Sequence, residues 1–168
     1  MKLLLIIISL FLVPVCSFTQ SKFDTANYVI LPKTSHWCPY TSDKKCKATD
    51  LSVTEIIQLD SLLQSCIAAY NIEETRHYNT DKERFPKFAP RLEDYIITLQ
   101  KYKRQLIPVI NANGEKEVWV NCFRSEDIDH SYWRKTVVFV NDGGNYYFNV
   151  KINLATKKYY ALRVNGVG

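Results

Sequence analysis

The sequence predicts an α+β domain, with one main amphipathic helix packed on a four- to five-stranded antiparallel meander sheet. Three observations predict it. Apolar residues recur every three or four positions between Ser52 and Tyr70, the spacing of one helix face. From about residue 95 onward, Val, Ile, Tyr, Phe and Trp alternate with polar residues, the period of strands. Turn signals rich in Asn and Gly divide that β-rich half at regular intervals, as a succession of hairpins requires.

Residues 1–20, MKLLLIIISLFLVPVCSFTQ, read as an export signal, with Lys2 as the charged start and an apolar run from Leu3 to Val13. The run is shorter than the ~20 apolar residues that span a bilayer. Cleavage after Ser17 or Thr19 is favoured, which places the mature protein in the periplasm or outside the cell with no membrane insertion. The minor alternative is a lipoprotein acylated at Cys16, but Val15 stands where such signals carry a small residue.

Removal of the signal leaves about 148 residues, enough for one core. Residues 21–50 form an irregular N-terminal arm and residues 51–168 a single α+β domain. Of the 22 basic residues only Lys2 is lost, so 21 face 17 acidic ones in the mature chain. The two signs are interspersed. The densest basic runs, Lys44-Lys45-Lys47 and Lys101-Lys103-Arg104, are too short for a nucleic-acid footprint, and no nucleic-acid partner is expected.

In the arm, Pro32 and Pro39 break regular structure and only Tyr28-Val29-Ile30-Leu31 has strand character. The helix starts at Ser52, with Glu55 in capping-box spacing and a stripe through Ile56, Leu59, Leu63, Cys66, Ile67 and Tyr70, and Asn71 marks its stop. Residues 72–91, polar and interrupted by Pro86 and Pro90, read as a long loop. Residues 95–99 fit either a strand or a short helix. Strands follow at 106–110 and 117–123 around Asn111-Ala112-Asn113-Gly114, at 136–140 and 146–153 around Asp142-Gly143-Gly144-Asn145, and at 159–164. Pro108 has no N–H to donate and places the first hairpin at the sheet margin.

Alternation assigns the faces. Val118, Val120 and Cys122 share the helix-covered side, while Tyr147, Asn149 and Lys151 oppose Phe148, Val150 and Ile152. Tyr146 and Tyr147 are expected to split between faces, as are Tyr159 and Tyr160. One helix followed by an antiparallel meander resembles the cystatin-like and NTF2-like topologies over residues 52–165. The inhibitory Gln-Xaa-Val-Xaa-Gly loop of cystatins is absent, since Gln105-Leu106-Ile107-Pro108-Val109 lacks its glycine. The tail NDGGNYYFNVKINLATKKYYALRVNG also resembles those of small exported bacterial proteins of unassigned function.

Four cysteines survive signal removal, and in an oxidising compartment an even number implies disulfides. Of three possible pairings, spacing favours Cys38 with Cys46 inside the arm and Cys66 with Cys122 across helix and sheet, the second worth roughly 3–5 kcal/mol if unstrained. Buried free thiols are the alternative. His36-Trp37-Cys38 with Cys46 nearby has too few donors for a tetrahedral metal site, so no metal or cofactor is expected. No GxSxG elbow occurs, and His77 and His130, although each follows carboxylates, are best read as members of solvated charged segments. No catalytic residue is assigned.

Aromatic residues carry the remaining signal. Trp119, Trp133, Tyr147 and Tyr160 are candidate binding residues, because an exposed aromatic row stacks on sugar rings or anchors a protein partner. Cross-strand pairs that steady a half-solvated sheet are the competing explanation. The favoured function is therefore a non-enzymatic exported binding protein for a protein or glycan partner, using a sheet face or the 72–91 loop. An NTF2-like hydrolase or isomerase and a secreted enzyme inhibitor are the alternatives.

Overall fold

A computed structural model describes residues 26–88, 90–124 and 131–166. The export signal, Cys16 and His130 lie outside the described residues. Among the described residues six strands and one long helix form the frame: β1 (Tyr28–Ile30), β2 (Lys47–Ala48), α1 (Val53–Arg84), β3 (Tyr102–Ile110), β4 (Lys116–Arg124), β5 (Tyr147–Asn153) and β6 (Lys158–Val164). The α+β class stands, and the sheet is mixed rather than purely antiparallel.

Its order is β1-β3-β4-β5-β6, with β2 also paired to β3. Strands β3 to β6 form the expected antiparallel meander. The exception is β1, which runs parallel to β3 with Tyr28 beside Arg104 and Ile30 beside Leu106. Parallel neighbours need a long crossover, and the arm plus α1 between β1 and β3 supplies it. Antiparallel β2 meets β3 at Val109 and Ile110. Pro108 therefore falls in the gap between the two short strands, where a missing N–H breaks no ladder bond.

Helix α1 begins as its sequence dictates. The Ser52 side chain accepts from the Glu55 N–H and the Glu55 carboxylate accepts from the Ser52 N–H at 2.8 Å, closing the capping box. Leu59, Leu63, Cys66 and Ile67 are buried against Leu106, Val118, Val120, Cys122, Phe148, Val150 and Ile152, so the assigned helix-covered face is the observed one, and Ile56 is buried on the same helix. The stop at Asn71 does not occur. The helix runs on to Arg84, and most of the expected 72–91 loop is helical.

Asn71 explains the extension: its Nδ2 donates to the Ile97 carbonyl at 2.9 Å and its Oδ1 accepts from the Ile97 N–H at 2.8 Å. Asn71 thus fastens the returning chain to the helix without ending it. Beyond it, Tyr95 donates to Asp81 at 2.9 Å and meets Tyr78 edge to face, while Arg76 pairs with Glu73. Termination falls to Phe85 and Pro86, where proline cannot continue the ladder. Residues 95–98 are neither strand nor helix, lying between a short 3₁₀ turn at Leu92–Asp94 and a second that Leu99 opens, Leu99–Lys101.

The opposite sheet face is covered by the arm and by residues 131–140. Leu31, Cys38, Tyr40 and Cys46 of the arm pack on Ile107, Val109 and Trp119. The expected strand at 136–140 does not form. Gln105, fully buried on β3, holds that segment instead: Nε2 donates to the carbonyls of Trp133 and Thr136, and Oε1 accepts from the Val138 N–H at 2.8 Å and from Asn121 Nδ2 at 3.0 Å.

The expected disulfides are absent as well, and all four cysteines are buried free thiols. Cys38 Sγ accepts from the Tyr40 N–H and Cys46 Sγ donates to Asp43 Oδ2, so the arm pair is engaged locally. Cys66 and Cys122 pack as small apolar groups between helix and sheet, and burial pushes their thiols up to about 11 and about 12.

Two predictions follow from these contacts. Gln105→Leu leaves the buried Val138 N–H without its acceptor and removes one of the two acceptors of Asn121 Nδ2, and urea denaturation is expected to show a loss of about 3 kcal/mol. The Glu55 carboxylate is held down at about 2, chiefly by Lys116 at 2.6 Å and then by the Ser52 N–H. A depressed carboxylate stabilises the fold above its unfolded value near 4.5 and loses that contribution as pH falls toward 2. Glu55→Gln should therefore lower stability at neutral pH by about 1 kcal/mol, with the difference vanishing near pH 2 in acid-titrated melts.

Candidate functional site

Covering the second face leaves a groove of about 530 Å³ over β4, β5 and β6. Its floor follows from strand alternation: Trp119 and Asn121 on β4 and Tyr147, Asn149 and Lys151 on β5 all point away from the helix. One wall is the arm at Trp37 and Pro39, joined by residues 138–141. Trp37 and Phe139 stack in parallel across that wall, with centroids 4.4 Å apart and planes at 12°.

Trp37 is held in a costly conformation. Its φ is +67°, a region that a bulky side chain rarely enters, and it stays 55% exposed. The surrounding loop enforces this: the Lys33 ammonium donates to the carbonyls of Asp43 and Cys46 at 2.8 Å each, closing the arm into a loop. Such strain persists only where the surroundings over-determine it, and it gathers at ligand sites.

The other rim contains a second left-handed residue, Ala161 at φ +51°. Between the pairs Lys151–Tyr160 and Asn149–Arg163, strand β6 spends two residues, Ala161 and Leu162, against the single Val150 of β5. This is a β-bulge, and it shifts the alternation. Tyr160 and Arg163, three apart, both reach the groove, while Leu162 and Val164 pack on the helix side. A regular strand would have sent one of the pair to the wrong face.

Behind the groove lies Glu117, only 3% exposed. Tyr40 donates to its Oε1 and Tyr160 to its Oε2, linking the arm, β4 and β6 through one carboxylate. Burial and then the Glu117 bond push the Tyr40 and Tyr160 phenols far up, so both remain protonated donors. Lys151 Nζ sits 3.8 Å from Glu117 Oε1 and 4.6 Å from the centre of the Tyr40 ring. Glu117 is thereby committed to holding phenols and positioning Lys151.

The amides around the groove are ordered by their neighbours. Asn149 Oδ1 accepts from the Trp119 indole at 3.2 Å, and Asn165 Nδ2 donates to the carbonyls of Val140 and Asp142 at 2.7 and 2.8 Å. Gly143, at φ +86°, turns the rim where any Cβ would strike the Tyr147 ring at 2.8 Å. Among the described residues no carboxylate lines the groove, and no group of three His, Cys, Asp or Glu is placed to hold a metal ion.

Of the four aromatic candidates, the structure brings Trp119, Tyr147 and Tyr160 together in this groove. It does not bring Trp133, which is buried against Phe123 with Arg134 and Lys103 over its ring. Tyr146, expected on the face opposite Tyr147, belongs to a 3₁₀ turn and packs on the same cluster. His77 stands exposed on α1 beside Glu74, and His36 meets Trp37 edge to face, so neither histidine lines the groove.

Neither a family model, nor a curated protein, nor a solved structure is similar to this chain.

Sequence reasoning missed Trp37, Phe139, Glu117, Lys151 and Arg163. Strand alternation contained the signal for Glu117 and Lys151, since each shares a face with an aromatic candidate. The arm and the bulge carry no periodicity from which the others follow. Ala161→Gly, which removes the left-handed penalty, is expected to raise stability by about 1 kcal/mol in chemical denaturation.

Proposed function

We propose that this chain is an exported, non-enzymatic binding module whose groove takes a glycan. The observation that carries the reading is the exposed Trp37–Phe139 stack, held in a strained loop above a floor of Trp119, Asn149 and Lys151. Flat aromatic faces suit the apolar faces of sugar rings, and amides with a donor or an acceptor still uncommitted suit their hydroxyls. The volume of about 530 Å³ is that of a site for a few sugar units. Export rests on residues 1–20, and no described helix is long and apolar enough to cross a membrane.

The groove also weighs against the hydrolase or isomerase alternative. In that topology the reacting groups sit between helix and sheet, and here Leu63, Val120, Phe148 and Ile152 fill that layer. The carboxylate nearest the groove, Glu117, has each of its oxygens engaged by a phenol.

A glycan array probed with the purified protein tests the proposal. Retention on at least one glycan class is expected, with Trp37→Ala weakening it about tenfold or more, the scale of one lost stacking contact. Ile72→Ala, on the far exposed stretch of α1, serves as the unaffected control. Absence of retention on every glycan, or equal retention by Trp37→Ala, overturns the reading.

A further inference from the structure

The groove has a charge as well as a shape. Among the described residues two cations line it, Lys151 and Arg163, and no carboxylate does. Lys151 is partly balanced by Glu117 behind it, whereas Arg163 is exposed and has no ion-pair partner among the described residues. An exposed arginine beside an aromatic floor presents a planar fork that matches a carboxylate through two parallel hydrogen bonds.

The bulge puts this fork where a ligand would lie. Arg163 is the cross-strand neighbour of Asn149, and Tyr160 that of Lys151. Positions 149 and 151 on β5 are two residues apart on one face, about 7 Å along the strand. That distance is similar to the length of one sugar unit. The amide, the guanidinium and the ammonium are thus spread over the span of one or two rings, beside Trp119 and Tyr147.

On the glycan-binding reading above, we infer that the groove selects acidic glycans whose sugar units carry a carboxylate, with Arg163 as the residue that recognises the acid and Lys151 in support. The buried Glu117 has a positioning role. With both oxygens engaged by Tyr40 and Tyr160, it fixes the lysine from behind and does not itself line the groove. The strained Ala161 is the backbone cost of bringing Arg163 to this face, since without the extra residue in β6 its side chain would be directed to the helix side.

Calorimetric titration of the purified protein with hexagalacturonate and with its fully methyl-esterified form separates charge from ring shape. The acid is expected to bind about tenfold tighter than the ester, and the preference to collapse at about 0.5 M salt. Arg163→Gln should bring the ratio close to one, and its exposure makes it safe for folding. Asn149→Asp, which sets a carboxylate opposite Arg163, should do the same. Equal affinity for acid and ester, or an Arg163→Gln protein that keeps the full preference, overturns the inference. If both forms bind equally and Trp37→Ala still weakens both, the inference fails and the glycan-binding reading survives. Tighter binding of a tetraglutamate peptide than of hexagalacturonate would overturn the inference in favour of an acidic peptide.

Discussion

The second face of the sheet depends on one amide. Gln105 is fully buried on β3, where a polar side chain must find partners for all of its hydrogen-bonding capacity or destabilise the fold. It finds four, three of them on the backbone of residues 133–138 and one on Asn121. The amide does the work that a strand ladder would otherwise do. A segment with strand-like composition is bound across the face of the sheet rather than along an edge, and Val138 and Phe139 thereby become a wall. Without this fastening β4 and β5 would present a flat, solvated surface instead of a groove.

Glu117 plays the corresponding part for the arm. Burying a carboxylate is costly unless its oxygens are satisfied, and here two phenols from different segments satisfy them while Lys151 stands close by. Because Tyr40 comes from the arm and Tyr160 from the last strand, one buried group joins the two ends of the described chain. The Lys33 ammonium closes the arm on itself in the same manner, through carbonyls. Polar anchors thus add to the short pairings of β1 and β2 and to the apolar packing of Leu31, Tyr40 and Val137 in holding the covering segments on that side.

This division explains which parts were legible in the sequence. The helix start, the hairpin at 111–114 and the split of Phe148, Val150 and Ile152 from Tyr147, Asn149 and Lys151 all follow from local chemistry or from periodicity, and the structure has each of them. The helix end is not legible there, because an asparagine at the end of an apolar stripe has the pattern of a stop, whereas the Asn71 amide binds Ile97 across 26 positions. The strand expected at 136–140 has the right composition, but Gln105 gives its backbone a different partner. At the site, Trp119, Tyr147 and Tyr160 could be found from alternation, while Trp37 and Arg163 reach the groove only through a loop and a bulge. Even the cysteine count misled, since two of the thiols serve as ordinary apolar filling between helix and sheet.

The bulge in β6 has one more consequence. Among the described residues this strand closes the sheet on one side and leaves a row of backbone donors and acceptors facing outward. Such an edge is a template on which another chain can extend the sheet, and a straight one invites aggregation. The left-handed Ala161 interrupts the row midway, and Lys158 and Arg163 place charge along it. A neighbouring molecule therefore meets two short, misaligned runs instead of one continuous ladder. The irregularity that shapes the groove also guards the exposed edge against the protein's own copies.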